Sequence, residues 1–220
     1  MKLLLVLLIS YLLGSINPAY LIARARGLDI RRHGSGNAGA SNALIVLGKR
    51  AALITALLDI FKAYLSVTLA VYFLPEHPSV GIVAAFGCTM GHIFPLFMGF
   101  RGGKGLACLG GLILALDYRL FLVMLGAELV LVLLVDYICV VPISASVALP
   151  IVYHVIWEDM LGTALLGLLA IVIVYKHMSN LKRIRQGTEA HFSYLWKRTQ
   201  EEDRLRDRID DPLLQERDKK

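Results

Sequence analysis

Residues 3–23 read LLLVLLISYLLGSINPAYLIA, twenty-one residues without one charge. A hydrocarbon core about 30 Å thick needs ~20 apolar residues in a helix to cross it, so this stretch has the length of a membrane span. A cleaved leader is the competing reading of a run so close to Met1. The apolar stretch continues to Ile22 and no small-x-small site ends it, which favours an uncleaved first span.

Working outward, six more stretches follow at roughly 51–74, 80–98, 105–117, 119–135, 141–157 and 161–177. Hydrophobic residues make up 57% of the chain and the mean hydropathy is +0.64, more than a soluble domain of this size carries. The expected fold is an all-α, polytopic membrane helix bundle of about seven transmembrane helices over residues 1–196. Residues 197–220 mix basic residues with eight carboxylates and read as a solvated, charged tail.

Orientation follows from the basic residues. Arg24, Arg26, Arg31, Arg32, Lys49 and Arg50 lie in the first connection, Arg101 and Lys104 in the third, and twelve more from Lys176 to Lys220. With Lys62 inside a span, only Lys2 and Arg119 fall on the other side, twenty against two. Positive residues stay in the cytoplasm, so the N-terminus is expected outside and the C-terminus inside. The net charge of +6 then reflects anchoring beside anionic headgroups of the bilayer, and no nucleic-acid partner is implied. Cys88, Cys108 and Cys139 fall in or near spans and read as small core hydrophobes rather than a disulfide framework.

Three polar, Gly-rich segments interrupt the apolar chain: Gly34-Ser35-Gly36-Asn37-Ala38-Gly39, Gly102-Gly103-Lys104-Gly105 and Gly187-Thr188-Glu189. The expected topology puts all three at the cytoplasmic face. Irregular backbone at membrane depth must line a polar cavity or lie on protein, and glycine beside Ser, Asn or Lys lets backbone and side chain approach a phosphate. Together they are expected to form one anion site.

These segments carry a resemblance. Gly14-Ser15-Ile16-Asn17-Pro18-Ala19-Tyr20 with Gly34 to Asn42, Leu58-Asp59-Ile60-Phe61-Lys62-Ala63, Gly91-His92-Ile93-Phe94-Pro95 with Phe100 to Ala107, and His177-Met178-Ser179-Asn180 with Arg183 to Glu189 occur in order and in register. They resemble the bacterial membrane acyl-phosphate:glycerol-3-phosphate acyltransferases from about Gly14 to Glu189. The resemblance implies transfer of a fatty acyl chain from acyl phosphate to the sn-1 hydroxyl of glycerol 3-phosphate, giving lysophosphatidate and phosphate. It implies no metal and no organic cofactor, an inner-membrane location, and a soluble acyl-phosphate-forming enzyme as a candidate partner. The chain departs from the family at Ile45, where an arginine usually stands three residues after the Thr-Asn pair (here Ser41-Asn42). Lys49, four residues on and so on the same helical face, or Arg50 beside it, is expected to stand in. Arg101, Cys108 and Ala63 replace the usual Lys, Thr and Gly.

Acyl phosphate is already activated, so positioning two anions and neutralising charge can supply most of the catalysis. Lys104 with the amides of Gly102, Gly103 and Gly105 is expected to hold phosphate and stabilise its departure. Ser35, flanked by Gly34 and Gly36, is either an acyl-accepting nucleophile or a phosphate donor with Asn37. A nucleophile would need a base such as His33 or His177, and direct attack by the glycerol hydroxyl is the favoured route. His177 and Asn180 share a helix face and are carried over as site residues, with Gly187 in the last segment. The base is then His177 or a substrate phosphate oxygen. Glu189 is expected to order the last segment or meet the glycerol hydroxyls, since a carboxylate repels phosphate. His92 is expected to be structural, Asp59 and Lys62 an internal ion pair, and Glu128 an intramembrane carboxylate without an evident partner. Two other classes are open: a transporter of a phosphorylated solute, for which polar groups at one face only argue poorly, and an inactive homologue.

Overall fold

A computed structural model describes residues 1–195, which are helical without a strand among them. The helices are α1 Lys2–Ser15, α2 Pro18–Ala25, α3 Ala40–Leu47, α4 Lys49–Phe73, α5 Val80–Ile93, α6 Leu106–Leu116, α7 Tyr118–Val135, α8 Val140–Trp157 and α9 Met160–Gln186. The charged tail expected over 197–220 lies outside the described residues.

Seven spans were expected, and among the described residues six stretches are long and apolar enough to cross a membrane: Lys2–Ala25, Lys49–Phe73, Val80–Met98, Tyr118–Val135, Val140–Trp157 and Met160–Gln186. The stretch at 105–117 forms α6, whose eleven residues rise only ~16 Å, half of a hydrocarbon core.

The first span is two helices rather than one. Pro18 has no N–H to donate and pushes the residue before it out of the α region. Asn17 is accordingly extended (φ −113°, ψ 107°), and its Oδ1 caps α2 by accepting from Tyr20 N–H at 2.8 Å. The break leaves carbonyls at Gly14 and Ile16 without helical partners. The Lys62 ammonium, buried in α4, donates to both, at 3.0 and 2.8 Å. It also pairs with Asp59 at 2.6 Å, as its spacing suggested. The His92 Nδ1 lies 3.2 Å from both Asp59 Oδ1 and Lys62 Nζ. Asp59, His92 and Cys108 bring ligand-type atoms within 4.8 Å of one another, but the ammonium already satisfies the carboxylate. Lys62→Met should lower stability by about 3–5 kcal/mol, the usual cost of stranding one half of a buried pair. Thermal unfolding in detergent against wild type measures it.

Helix α1 lies against α5, running parallel to it. Leu7 meets Gly87, while Tyr11 and Ser15 meet Gly91. A Cβ on Gly87 would come within 2.6 Å of Leu7 O, so backbone approach requires glycine there. A core including Ile82, Leu109, Leu112, Leu149, Leu169 and Ile173 joins α5, α6, α8 and α9. Leu122, Val123, Leu133 and Leu134 of α7 face outward, as helices bathed in lipid tails do. The three cysteines are buried and free, as small core residues.

The two ends of the bundle differ. At one, Lys2 pairs with Glu76 at 3.0 Å, and Ser79 and Tyr153 each donate to Asp159 at 2.8 Å. The other gathers the three polar segments.

Candidate active site

The middle segment is built against the end of α5. Gly102 and Gly103 N–H donate to Ile93 O and His92 O at 3.2 and 3.0 Å. Gly103 lies on the imidazole of His92, where an added Cβ would come within 2.6 Å of Cε1. This corrects one expectation: both amides are engaged with α5 and are not phosphate donors. The glycines instead permit the close packing that turns Lys104 into the site. Gly105, left-handed at φ 93°, starts α6 directly after it. As expected, His92 is structural.

The first segment docks on the second through Ala38 N–H to Gly102 O at 3.3 Å, and Asn17 Nδ2 donates to Ala38 O at 2.8 Å. Gly34 and Gly36 both have positive φ, 59° and 71°. Their turn is held by Asn42, which is fully buried: its Oδ1 accepts from Ser35 N–H at 2.9 Å and its Nδ2 donates to Ile30 O and His33 O. The sequence gives Asn42 no evident role, because its partners are backbone groups seven to twelve residues away. Ser35 itself is exposed, with Asn37 half-buried nearby. Among the described residues no hydrogen bond joins the Ser35 hydroxyl to a histidine; His33 Nδ1 instead lies 2.9 Å from Asp29 O.

Helix α9 supplies the third part. His177 and Asn180 are both buried on one face, as their spacing predicts. The Lys104 ammonium donates to Asn180 Oδ1. Asn180 Nδ2 donates to Glu189 Oε1 at 2.5 Å, and Arg183 Nε to Glu189 Oε2 at 2.6 Å. Gly187, left-handed at φ 70°, ends the helix and folds the chain back, with Thr188 and Glu189 N–H both donating to Arg183 O. Gly187 is thus placed as a helix terminator, and Glu189 orders the segment. Arg183 is the residue whose part was missed. His177 Nδ1 lies 2.7 Å from Ile173 O. A carbonyl only accepts, so Nδ1 carries the proton and the neutral ring presents Nε2 as an acceptor.

Burial pulls the Lys104 ammonium down from 10.5 to about 8, Arg183 adds repulsion, and Glu189 partly opposes both. The shared helical face expected for Ile45 and Lys49 fails on geometry. Gly48 (φ 90°) ends α3 and begins α4, so Ile45 and Lys49 lie on different helices and share no face. Glu128 has a partner after all: the Ser144 hydroxyl lies 2.7 and 2.9 Å from its two oxygens, between α7 and α8.

A lysine fixed beside a Gly-rich turn and braced by an Asn–Glu–Arg chain matches the motifs already quoted. Residues 4–187 fit the family model described as glycerol-3-phosphate acyltransferase. The chain belongs to the glycerol-3-phosphate acyltransferase family. The glycerol-3-phosphate acyltransferase of Prochlorococcus marinus (strain NATL1A) is 37% identical over 191 residues, covering 84% of this chain and 96% of that one. That of Thermus thermophilus is 38% identical over 183 residues, covering 83% and 92%. In crystal structures, the integral membrane glycerol 3-phosphate acyltransferase PlsY (YgiH) in its glycerol 3-phosphate form superimposes with a TM-score of 0.81 at 29% identity, over 89% of this chain and 98% of that one. Its lysophosphatidic acid form gives a TM-score of 0.78. The acyltransferase family thus stands where transport was the rival, and the fold is that of a multi-pass membrane protein.

Proposed function

We propose that this protein transfers a fatty acyl group from acyl phosphate to the sn-1 hydroxyl of glycerol 3-phosphate, releasing lysophosphatidate and inorganic phosphate. The observation that carries this is the Lys104 ammonium. It is held by a neutral amide and among the described residues has no ion pair, and it directly precedes the start of α6. The first-turn N–H groups of that helix have no helical partners and favour an anion. Lys104 and this helix start hold the leaving phosphate; Ser35 and Asn37, on the turn docked at Gly102, orient substrate from the other side.

The glycerol oxygen attacks the acyl carbon, the acyl–phosphate C–O bond breaks, and phosphate leaves with the bonding pair. The hydroxyl proton passes to His177 Nε2 or to a phosphate oxygen. Direct attack is favoured over an acyl-serine because, among the described residues, no base is hydrogen-bonded to Ser35. The clustering of all three segments at one end supports a cytoplasm-facing site in the inner membrane, where acyl phosphate from a soluble enzyme would arrive.

The test is phosphate release by the purified protein given palmitoyl phosphate, with and without glycerol 3-phosphate. Release that depends on the acceptor is expected. Acceptor-independent release would point to a covalent route or a hydrolase. No release in either case would make Ile45 the mark of an inactive homologue.

A further inference from the structure

We propose that Lys176 binds a substrate phosphate, as the second uncompensated cation of the active site. The inference rests on the acyl-transfer reading above. Lys176, Asn180 and Arg183 stand at i, i+4 and i+7 on α9 and so form one stripe along it. Asn180 holds Lys104, and Arg183 is bound to Glu189 at 2.6 Å, which spends its charge. Lys176 is different. Among the described residues it makes no hydrogen bond and no ion pair, and its ammonium lies 5.2 Å from the centre of the Phe94 ring.

Phe94 caps the end of α5, immediately before the chain that turns through Gly102 and Gly103 to Lys104. The ring therefore holds the ammonium at the seam of α5 and α9, one turn from Asn180. An aromatic face attracts a cation without neutralising it, so the charge is available to an anion. A lysine serving only as a headgroup anchor would extend away from the bundle; Lys176 is half-buried against it.

The charge count gives the site a need for such a residue. Both substrates carry phosphate. Ile45 supplies no cation, and Lys49 and Arg50 are exposed beyond the Gly48 break. With Arg183 offset by Glu189, Lys104 and Lys176 are positive charges along this wall that, among the described residues, have no ion pair. Either phosphate, that of acyl phosphate or that of glycerol 3-phosphate, offers the chemistry Lys176 would take.

Lys176→Met keeps an unbranched stem of similar reach and removes the charge; Lys176→Arg keeps the charge. In steady-state kinetics with palmitoyl phosphate and glycerol 3-phosphate varied in turn, Lys176→Met should raise KM by about tenfold or more for the substrate whose phosphate it meets, as loss of a charge-assisted hydrogen bond does. A rise confined to glycerol 3-phosphate assigns the acceptor, and one confined to palmitoyl phosphate assigns the donor. Lys176→Arg should restore KM. Unchanged KM values for both substrates in an active Lys176→Met overturn the proposal. A wild-type protein without turnover counts against the acyl-transfer reading instead. The arm independent of turnover is protection of Tm by inorganic phosphate, expected in wild type and Lys176→Arg and lost in both Lys176→Met and Lys176→Gln; equal protection in all four overturns the proposal.

Discussion

Lys104→Ala should lower kcat/KM for acyl transfer by a hundred- to a thousandfold, on the order of what one transition-state charge stabiliser contributes, and leave the fold intact. Among the described residues the ammonium bonds only to Asn180, and the Asn180–Glu189–Arg183 chain remains closed without it. Removing a half-buried charge relieves desolvation, so Tm should hold or rise slightly. The same residue sets the alkaline limb. With its pKa near 8 rather than 10.5, Lys104 is charged below that pH and loses its proton as pH rises through it. In the free enzyme kcat/KM should therefore fall above about pH 8, and in Lys104→Arg the limb should move well upward, because guanidinium stays protonated there. Near-wild-type turnover in Lys104→Ala would remove the phosphate assignment.

The bundle was legible because hydropathy fixes where a chain can lie in lipid, and the uneven Lys and Arg distribution gathered the polar segments at one end. The Asp59–Lys62 pair and the shared face of His177 and Asn180 followed from helical spacing alone. What escaped was structure decided by breaks in the helices. The stretch through Asn17-Pro18 carries no charge and its hydropathy averages 1.8, so a hydropathy window runs over the break that gives Lys62 its two carbonyls. A shared face for Ile45 and Lys49 assumes a helix that continues through Gly48, whose φ of 90° instead separates the two residues.

The glycines were read for chemistry where packing decides. A Gly-Gly-Lys-Gly segment suggests amides turned toward phosphate, but Gly102 and Gly103 spend theirs on the last turn of α5. Electrostatics left Glu189 two roles, ordering the last segment or meeting the glycerol hydroxyls, since a carboxylate beside phosphate is repelled. Its actual partners appear only once Gly187 reverses the chain onto Arg183. Side chains paired across a reversal or between helices leave no periodic signal in a single sequence.

Gly103→Ala isolates that packing role from any chemistry of the side chain. The new methyl group would overlap the His92 imidazole, with Cε1 at 2.6 Å. His92 cannot simply turn aside, because its Nδ1 sits 3.2 Å from both Asp59 and Lys62, and Lys62 also binds two carbonyls of the broken first span. The loop must move instead, carrying Lys104 with it. A displacement of about 1 Å at a reacting group can cost a hundredfold in rate, so kcat should fall by roughly that factor although every polar side chain of the site is present. Gly126→Ala is the control: a Cβ there meets nothing within 4 Å, and activity should be unchanged. If Gly103→Ala turned over like wild type, the loop would be yielding to His92 at no cost. The buried Asp59–Lys62–His92 network would then not be what sets the position of Lys104.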